Sequence, residues 1–416
     1  NKAPLAELVL DYIHGYRAKD CRNNVKYLKN GNIVYHAAAV GIVLDAASNT
    51  QRFFTQHIDD ITAMDVHPNG VYIATGEIGP KPSVYVWDSN TMQVIWNFKG
   101  GLTKGIANLS FSPSGNRLAG IAIDNDHYVA VYDTQVGQML CMEKGDTALI
   151  VDVSSKNESE FVTVGPKHFK FWNFQNKAMS SKKGLFGSNN NQLRSIAWNG
   201  NTCLVGAGDG NLQTWNGNQI GKCYKLHDGA VDAVWVGAQH VVTGGMDGAI
   251  TILDKSNYAT LLKFPLDSVI KTSMSTRVRS ACLAPDQKTL LIGTYGSEIY
   301  ELSTKDAKIS SATKFANPKE LIKGHYTPNQ KWTNEVWGLA VFKDGDRWCT
   351  CSDDATLRIW SKSKRKQLKA VRVDRDLNGN EIPKDAQTGD LDDSAKARSL
   401  DVSPDDKIIA MGCKDG

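Results

Sequence analysis

Long apolar runs are missing from this chain. Nowhere do 18 or more apolar residues follow one another, so no helix of membrane-crossing length is expected. Cysteine is scarce: eight in 416 residues, at 21, 141, 203, 223, 282, 349, 351 and 413. None forms a CxxC pair or joins histidines at zinc-ligand spacing. Buried, reduced thiols of a cytoplasmic protein are expected, not a disulfide framework or a metal centre. Charge of one sign is also lacking. The formal net charge is +4, too small for the strongly basic face of a general nucleic-acid binder. No P-loop, G-x-S-x-G, H-E-x-x-H or dinucleotide fingerprint occurs, so neither an enzyme nor a cofactor is expected. The opening NKAPLAELVL carries no signal-peptide pattern, and the sequons at Asn108 and Asn157 are expected to stay unmodified.

What the chain has is glycine, 36 residues against 12 prolines, and a repeat. The segments SVYVWD, YVAVYD, FKFWNF, NLQTWN, AITILD, SEIYEL and TLRIWS each end an apolar strand. Anchored on Trp87, Tyr132, Trp172, Trp215, Leu253, Tyr300 and Trp360, they recur at intervals of 45, 40, 43, 38, 47 and 60 residues. That is the period of a four-stranded propeller blade, with one long insertion before the last anchor. The turns PNG, PSG, PDQ and KDG, flanked by apolar alternation, are hairpin chemistry. A single blade cannot bury its own faces, whereas a closed ring buries them all and protects the strand edges.

Polar residues repeat with the anchors. Asp354 precedes Trp360 by six positions, and Asp209 and Asp247 stand likewise before Trp215 and Leu253. Four residues before these acids come Thr350, Val205 and Thr243. The pattern resembles the WD40 repeat, whose His–Ser/Thr–Trp–Asp network ties each blade together. His227 with Thr243 and Asp247 supplies three members, and His57 and His325 stand at similar positions. Buried polar groups must be paired, and recurrence from blade to blade favours a structural role over acid–base catalysis.

Residues 14–28, HGYRAKDCRNNVKYL, do not look like a WD40 repeat. Gly15, Tyr16, Arg17, Asp20, Cys21, Arg22 and Asn23, followed by Ile33-Val34-Tyr35, closely resemble the HELP-type hydrophobic motif of the echinoderm microtubule-associated protein-like family. IATG (73–76), GLFG (184–187), HDGAV (227–231), VTGG (242–245) and EVWGLA (335–340) agree in order. The resemblance implies tandem WD40-type β-propellers and a non-enzymatic scaffold that binds tubulin in microtubules. It places such a protein in the cytoplasm and cytoskeleton, with the cilium or axoneme as the alternative. Tyr16, Arg17 and Asp20 are expected to pack between propellers. The alternative function is a general propeller adaptor, such as a ubiquitin-ligase substrate receptor or a trafficking component. Neither nucleic acid nor a membrane is expected as a partner.

Two stretches stand apart. KSKRKQLK holds Lys362, Lys364, Arg365, Lys366 and Lys369; it reads either as a solvated turn or as a contact with the acidic surface and tails of tubulin. DRDLNGNEIPKD places Asp374, Asp376, Asn378 and Gly379 in the calcium-loop pattern, with Asp385 where glutamate is usual. Pro383 and the lack of flanking helices favour a hairpin turn at Asn378-Gly379 instead. The domains expected are 1–56, the motif and a leading blade; 57–371, seven blades forming the first propeller; 372–394, an inserted acidic loop; and 395–416, the start of a further blade.

Overall fold

The structure, a computed structural model, describes residues 9–189, 192–326, 335–373, 381 and 396–414. Apart from a single 3-10 turn at Leu266–Ser268, every regular element among them is a strand. Eight four-stranded antiparallel sheets and one two-stranded hairpin result, each sheet built from strands consecutive in the chain. Burial within a sheet follows strand order. The third strand Ser83–Asp88 is buried at all but its last residue, as a strand sandwiched between neighbouring sheets must be. The fourth strand Ala178–Lys183 is almost wholly exposed, and its Ser-Ser-Lys-Lys sequence suits a rim. Gly70, Gly115 and Gly345 take φ of +68, +80 and +70° in the hairpin turns, the left-handed region glycine enters without penalty.

The chain divides into two compact units. The larger comprises residues 17–295 and 299–321 and holds seven sheets, the blades. Their first strands begin at Lys26, Ile61, Ile106, Asp152, Leu193, Val231 and Val278. All seven first strands line one polar cavity of about 320 Å³. The first blade meets the seventh directly. The Asn23 amide donates to the Arg279 carbonyl at 3.0 Å, the Asn24 amide to Ser280 Oγ at 3.0 Å, and Tyr27 Oη to Glu301 at 2.7 Å. Between the other blades the core is apolar and aromatic: Phe54 stacks on Trp87 at 4.7 Å and Phe169 on Trp215 at 3.9 Å.

This arrangement corrects the expected boundaries. The ring has seven blades, but the sheet at residues 26–54 is its first and not a remainder. The sheet Val336–Arg372, expected to be its last, belongs to the smaller unit. The anchor count started one blade late: Leu44 of the first blade holds the position that Trp87 holds in the second, and both are the next-to-last residues of their third strands. The 60-residue interval before Trp360 is the passage from one unit to the other, not an insertion within the ring.

The smaller unit comprises residues 1–16, 296–298 and 322–416. It contains the sheet of Val336–Val341, Arg347–Ser352, Thr356–Ser361 and Lys366–Arg372, and the hairpin Ala397–Val402 with Ile409–Cys413. The hairpin lies beside Val336–Val341. Its two strands pair antiparallel.

Candidate functional site

The polar networks expected of the blades are present in several. In the smaller unit His325 Nδ1 lies 2.9 Å from Asp354 Oδ2 and Nε2 lies 2.9 Å from Thr350 Oγ1. Trp360 Nε1 donates to the same hydroxyl at 2.7 Å. An indole N–H can only donate, so the Thr350 proton goes to Nε2, and Nδ1–H donates to the carboxylate. Asp354 also accepts from the Tyr326 amide at 3.0 Å, Thr356 Oγ1 at 2.6 Å and Arg358 Nη2 at 3.0 Å. Burial alone would raise this carboxyl; His325, Arg358 and Thr356 outweigh it and hold it at about 2. Burial lowers His325 against the pull of Asp354, leaving the ring neutral near pH 7.

His227, Thr243 and Asp247 assemble as expected. Nδ1 is 3.0 Å from Asp247 Oδ1 and Nε2 is 2.9 Å from Thr243 Oγ1, while Leu253 is fully buried in the core at the tryptophan's position. Gly245 leaves them room: a Cβ there would run into the His227 ring and the Asp247 carboxylate.

Two networks were not legible in the sequence. In the second blade His57 Nδ1 meets Glu77 Oε2 at 2.9 Å and Nε2 meets Thr75 at 2.7 Å, with Trp87 Nε1 on Thr75 at 3.1 Å. Glutamate does the work of aspartate from two residues after the threonine, not four. Its longer arm reaches where the turn is longer, and Thr75 twelve residues before its tryptophan was the available sign. In the fourth blade histidine and acid exchange places. Asp146 stands in the loop leading into the blade, and His168 opens the third strand, 2.8 Å from Thr163 Oγ1 and 3.4 Å from Asp146. Trp172 Nε1 completes the set at 2.9 Å.

Asp209 does not belong to such a network. Val205 offers no hydroxyl, no histidine reaches it, and its carboxylate binds Asn211 at 3.1 and 2.8 Å. Trp215 Nε1 turns to Gln213 at 3.1 Å instead. Asp209→Ala is therefore expected to cost at most about 1 kcal/mol, a local turn bond. Asp247→Ala removes the partner of a buried histidine and should cost about 2–4 kcal/mol. Denaturant midpoints of the two variants check this; equal losses would show that Asp209 has an equivalent role.

The segment Gly15–Asn23 contributes to both units. Gly15 and Tyr16 fall in the smaller one, where Gly324 approaches so closely that a Cβ on it would sit 3.4 Å from Gly15 Cα. From Arg17 on, every partner below lies within the seven-bladed unit. Arg17 grips Asp20 through Nε and Nη2 at 2.8 and 2.7 Å and reaches Asp60 at 2.5 Å. The Cys21 thiol is buried and donates to the Thr62 carbonyl at 3.3 Å; burial pushes it well above the usual thiol range, so it is inert. Arg22 enters a charged hub. Asp232, 1% exposed, accepts from Arg194 Nε at 2.9 Å and Arg279 Nη1 at 2.7 Å, and Arg22 Nε lies 3.6 Å away. Asn23 adopts φ 51°, which asparagine tolerates better than most residues, and thereby presents its amide to Arg279.

Lys362, Lys364, Lys366 and Lys369 are exposed on the last turn and outer strand of the sheet Val336–Arg372. Arg365 differs: it pairs with Asp11 at 3.0 Å and lies over the Tyr12 ring at 5.8 Å. The calcium-like stretch 374–385 lies, except for Glu381, outside the described residues. Among the described residues no group of three or more His, Cys, Asp or Glu side chains could hold a metal ion, and no helix is long and apolar enough to cross a membrane.

Comparison with known proteins agrees with this geometry. The family model for the echinoderm microtubule-associated protein first β-propeller matches residues 50–302, that for the HELP motif residues 3–42, and that for the WD domain G-beta repeat residues 317–361. The HELP match thus extends into the third strand of the first blade. The ciliary WD repeat-containing protein ctxp80 of Euplotoides octocarinatus is 30% identical over 401 residues, covering 89% of this chain and 51% of that protein. The 77 kDa echinoderm microtubule-associated protein of Strongylocentrotus purpuratus is 29% identical over 384 residues, 88% of this chain and 53% of its own. Human echinoderm microtubule-associated protein-like 2 is 26% identical over 460 residues, covering this whole chain and 67% of that protein. The chain spans about half the length of the first two. With more than half of its residues matched by the propeller model, the chain belongs to the echinoderm microtubule-associated protein family.

Proposed function

We propose that the protein is a non-catalytic scaffold of the cytoskeleton that binds microtubules in the cytoplasm or in cilia. The relatives' names point to microtubules and, in one case, to the cilium. The observation that carries the reading on this chain is the turn and strand at 361–372, where six cations and no acid occur. Its four lysines are exposed on the turn and outer strand and hold no place in a blade network. Attraction of such groups to an acidic partner is long-ranged, steers association and fades with salt. The histidines and acids of the networks, by contrast, are occupied in tying blades together, and no catalytic role is assigned to them.

The test is co-sedimentation with polymerised tubulin. Because Arg365 is engaged with Asp11, only Lys362, Lys364, Lys366 and Lys369 are changed, all to serine. Exposed ion pairs are worth about 0.2–1 kcal/mol each, so the variant should bind about tenfold to a hundredfold more weakly at low salt. The difference should shrink as salt rises, and thermal stability should stay unchanged. Equal binding at low salt would remove the lysines from the interface.

A further inference from the structure

Within the smaller unit, the residues from Leu10 to His14 lay an aromatic path onto the sheet Val336–Arg372. The rings of Tyr12 and His14 are 4.9 Å apart, His14 lies 4.5 Å from Trp360 and 5.7 Å from Trp348, and the two indoles stack at 5.4 Å. Beside this path opens a cleft of about 440 Å³, with Leu10, Tyr12, His14 and Trp348 on its apolar wall and Lys362 and Arg365 on its rim. That volume is at the small end of ligand pockets and leaves room for a single large side chain with its adjoining backbone.

The rim decides what chemistry fits. Burial lowers His14 to about 4, so the wall is uncharged near neutral pH. The acids around the cleft are already engaged: Asp11 on Arg365, Asp344 on Arg347, and Asp346 on the Ser361 hydroxyl and the Ser363 amide. Lys362 makes no ion pair among the described residues, and Lys364, Lys366, Lys369 and Arg372 follow it without an intervening acid. Arg365 displays a working example of the recognition, holding the Asp11 carboxylate while lying over the Tyr12 ring.

We infer that this cleft receives one aromatic side chain from an extended acidic peptide, whose carboxylates on either side pair with Lys362 and the lysines beyond it. Charge complementarity selects the acidic chain, and the aromatic wall selects the residue within it. This rests on the reading of the basic turn given under Proposed function, and adds a specificity that charge alone does not provide.

The experiment uses the full chain and fluorescein-labelled glutamate-rich peptides that carry one central tyrosine or, in its place, alanine. The tyrosine peptide should bind about tenfold more tightly, the size expected for part-burial of one aromatic ring. Leu10→Ser should narrow that gap while leaving the alanine peptide within about twofold. Replacing the four lysines by serine should weaken both peptides. Equal affinity of the two peptides for the wild type, still lost in the lysine variant, overturns the cleft and leaves the basic-turn reading intact. Failure of the lysine variant to weaken either peptide overturns both. A single-stranded DNA of equal charge serves as the rival polyanion, and binding as tight as that of the tyrosine peptide would also overturn the cleft. Because the decisive contrast is made on the peptide, no misfolded variant can produce it.

Discussion

Asp354→Ala will destabilise the unit that carries it by about 3 kcal/mol or more. The carboxylate is fully buried and joins His325, Tyr326, Thr356 and Arg358. Its removal leaves the Arg358 guanidinium, 1% exposed, buried without its counter-charge, the situation in which a broken buried pair costs about 3–5 kcal/mol. Arg358 keeps its bonds to the Gly324 carbonyl and Gln367, which sets the expectation at the lower end. The acid limb should change as well. Asp354 is depressed from 3.8 to about 2, so its contribution is present above about pH 3.8 and lost as pH falls towards 2. The buried histidines His57, His227 and His325, lowered from 6.5, withdraw stability earlier, as pH falls below 6.5. Denaturant unfolding across pH 2–7 should show both stages in the wild type, with a diminished lower stage in the variant. Folded Asp354→Ala should still co-sediment with microtubules. Intact stability with lost binding would make this acid a contact residue.

The largest loss is expected from Asp232→Ala. One carboxylate faces three guanidinium groups there, and burial already disfavours the charge on Arg22 despite Asp232. Without the acid, Arg194, Arg279 and Arg22 repel one another where water has little access. At about 3–5 kcal/mol for the uncompensated charge, the denaturant midpoint should fall steeply. Asp232→Asn, which preserves the acceptor oxygen but not the charge, should fall between alanine and wild type. Hydrogen exchange should report where the damage lies: the amides of Asn23 and Asn24, which bond to Arg279 and Ser280, should lose protection before those of the fourth blade. Unchanged exchange at both asparagines would dissociate the hub from the joining of the first blade to the seventh.

The propeller was legible because tryptophan and tyrosine at a regular interval mark a third strand buried on both faces. The leading blade, with Leu44 at that position, was also legible; its place in the ring was not, because the joint that closes the ring pairs residues some 256 positions apart. The His–Thr–Asp set at 227, 243 and 247 could be read from spacing. Glu77 could not, because a longer turn and a longer side chain shift the acid while keeping the bond. Nor could Asp146 and His168, since a hydrogen bond between an imidazole and a carboxylate does not depend on which precedes the other in the chain. The hub around Asp232 joins residues separated by 38 and 47 positions; each arginine alone looks like any surface cation. In the basic turn, the separate behaviour of Arg365 follows from Asp11, more than 350 residues away.

Among the described residues no strand in the seven-bladed unit is lent from one blade to another, and this bears on how the unit comes to be folded. Each sheet is built from strands consecutive in the chain, so its own pairings can form as soon as those roughly forty residues are made. The joint between first and last blades is different. Asn24 must find Ser280 across 256 residues, a search that begins only after the seventh blade has been synthesised. During translation the ring is therefore an open arc with two raw edges, the first of which waits longest. Aggregation in that interval, not thermal unfolding of the finished ring, is where a weakened Arg22–Asp232–Arg279 cluster should do its first harm, as a reduced yield of soluble protein.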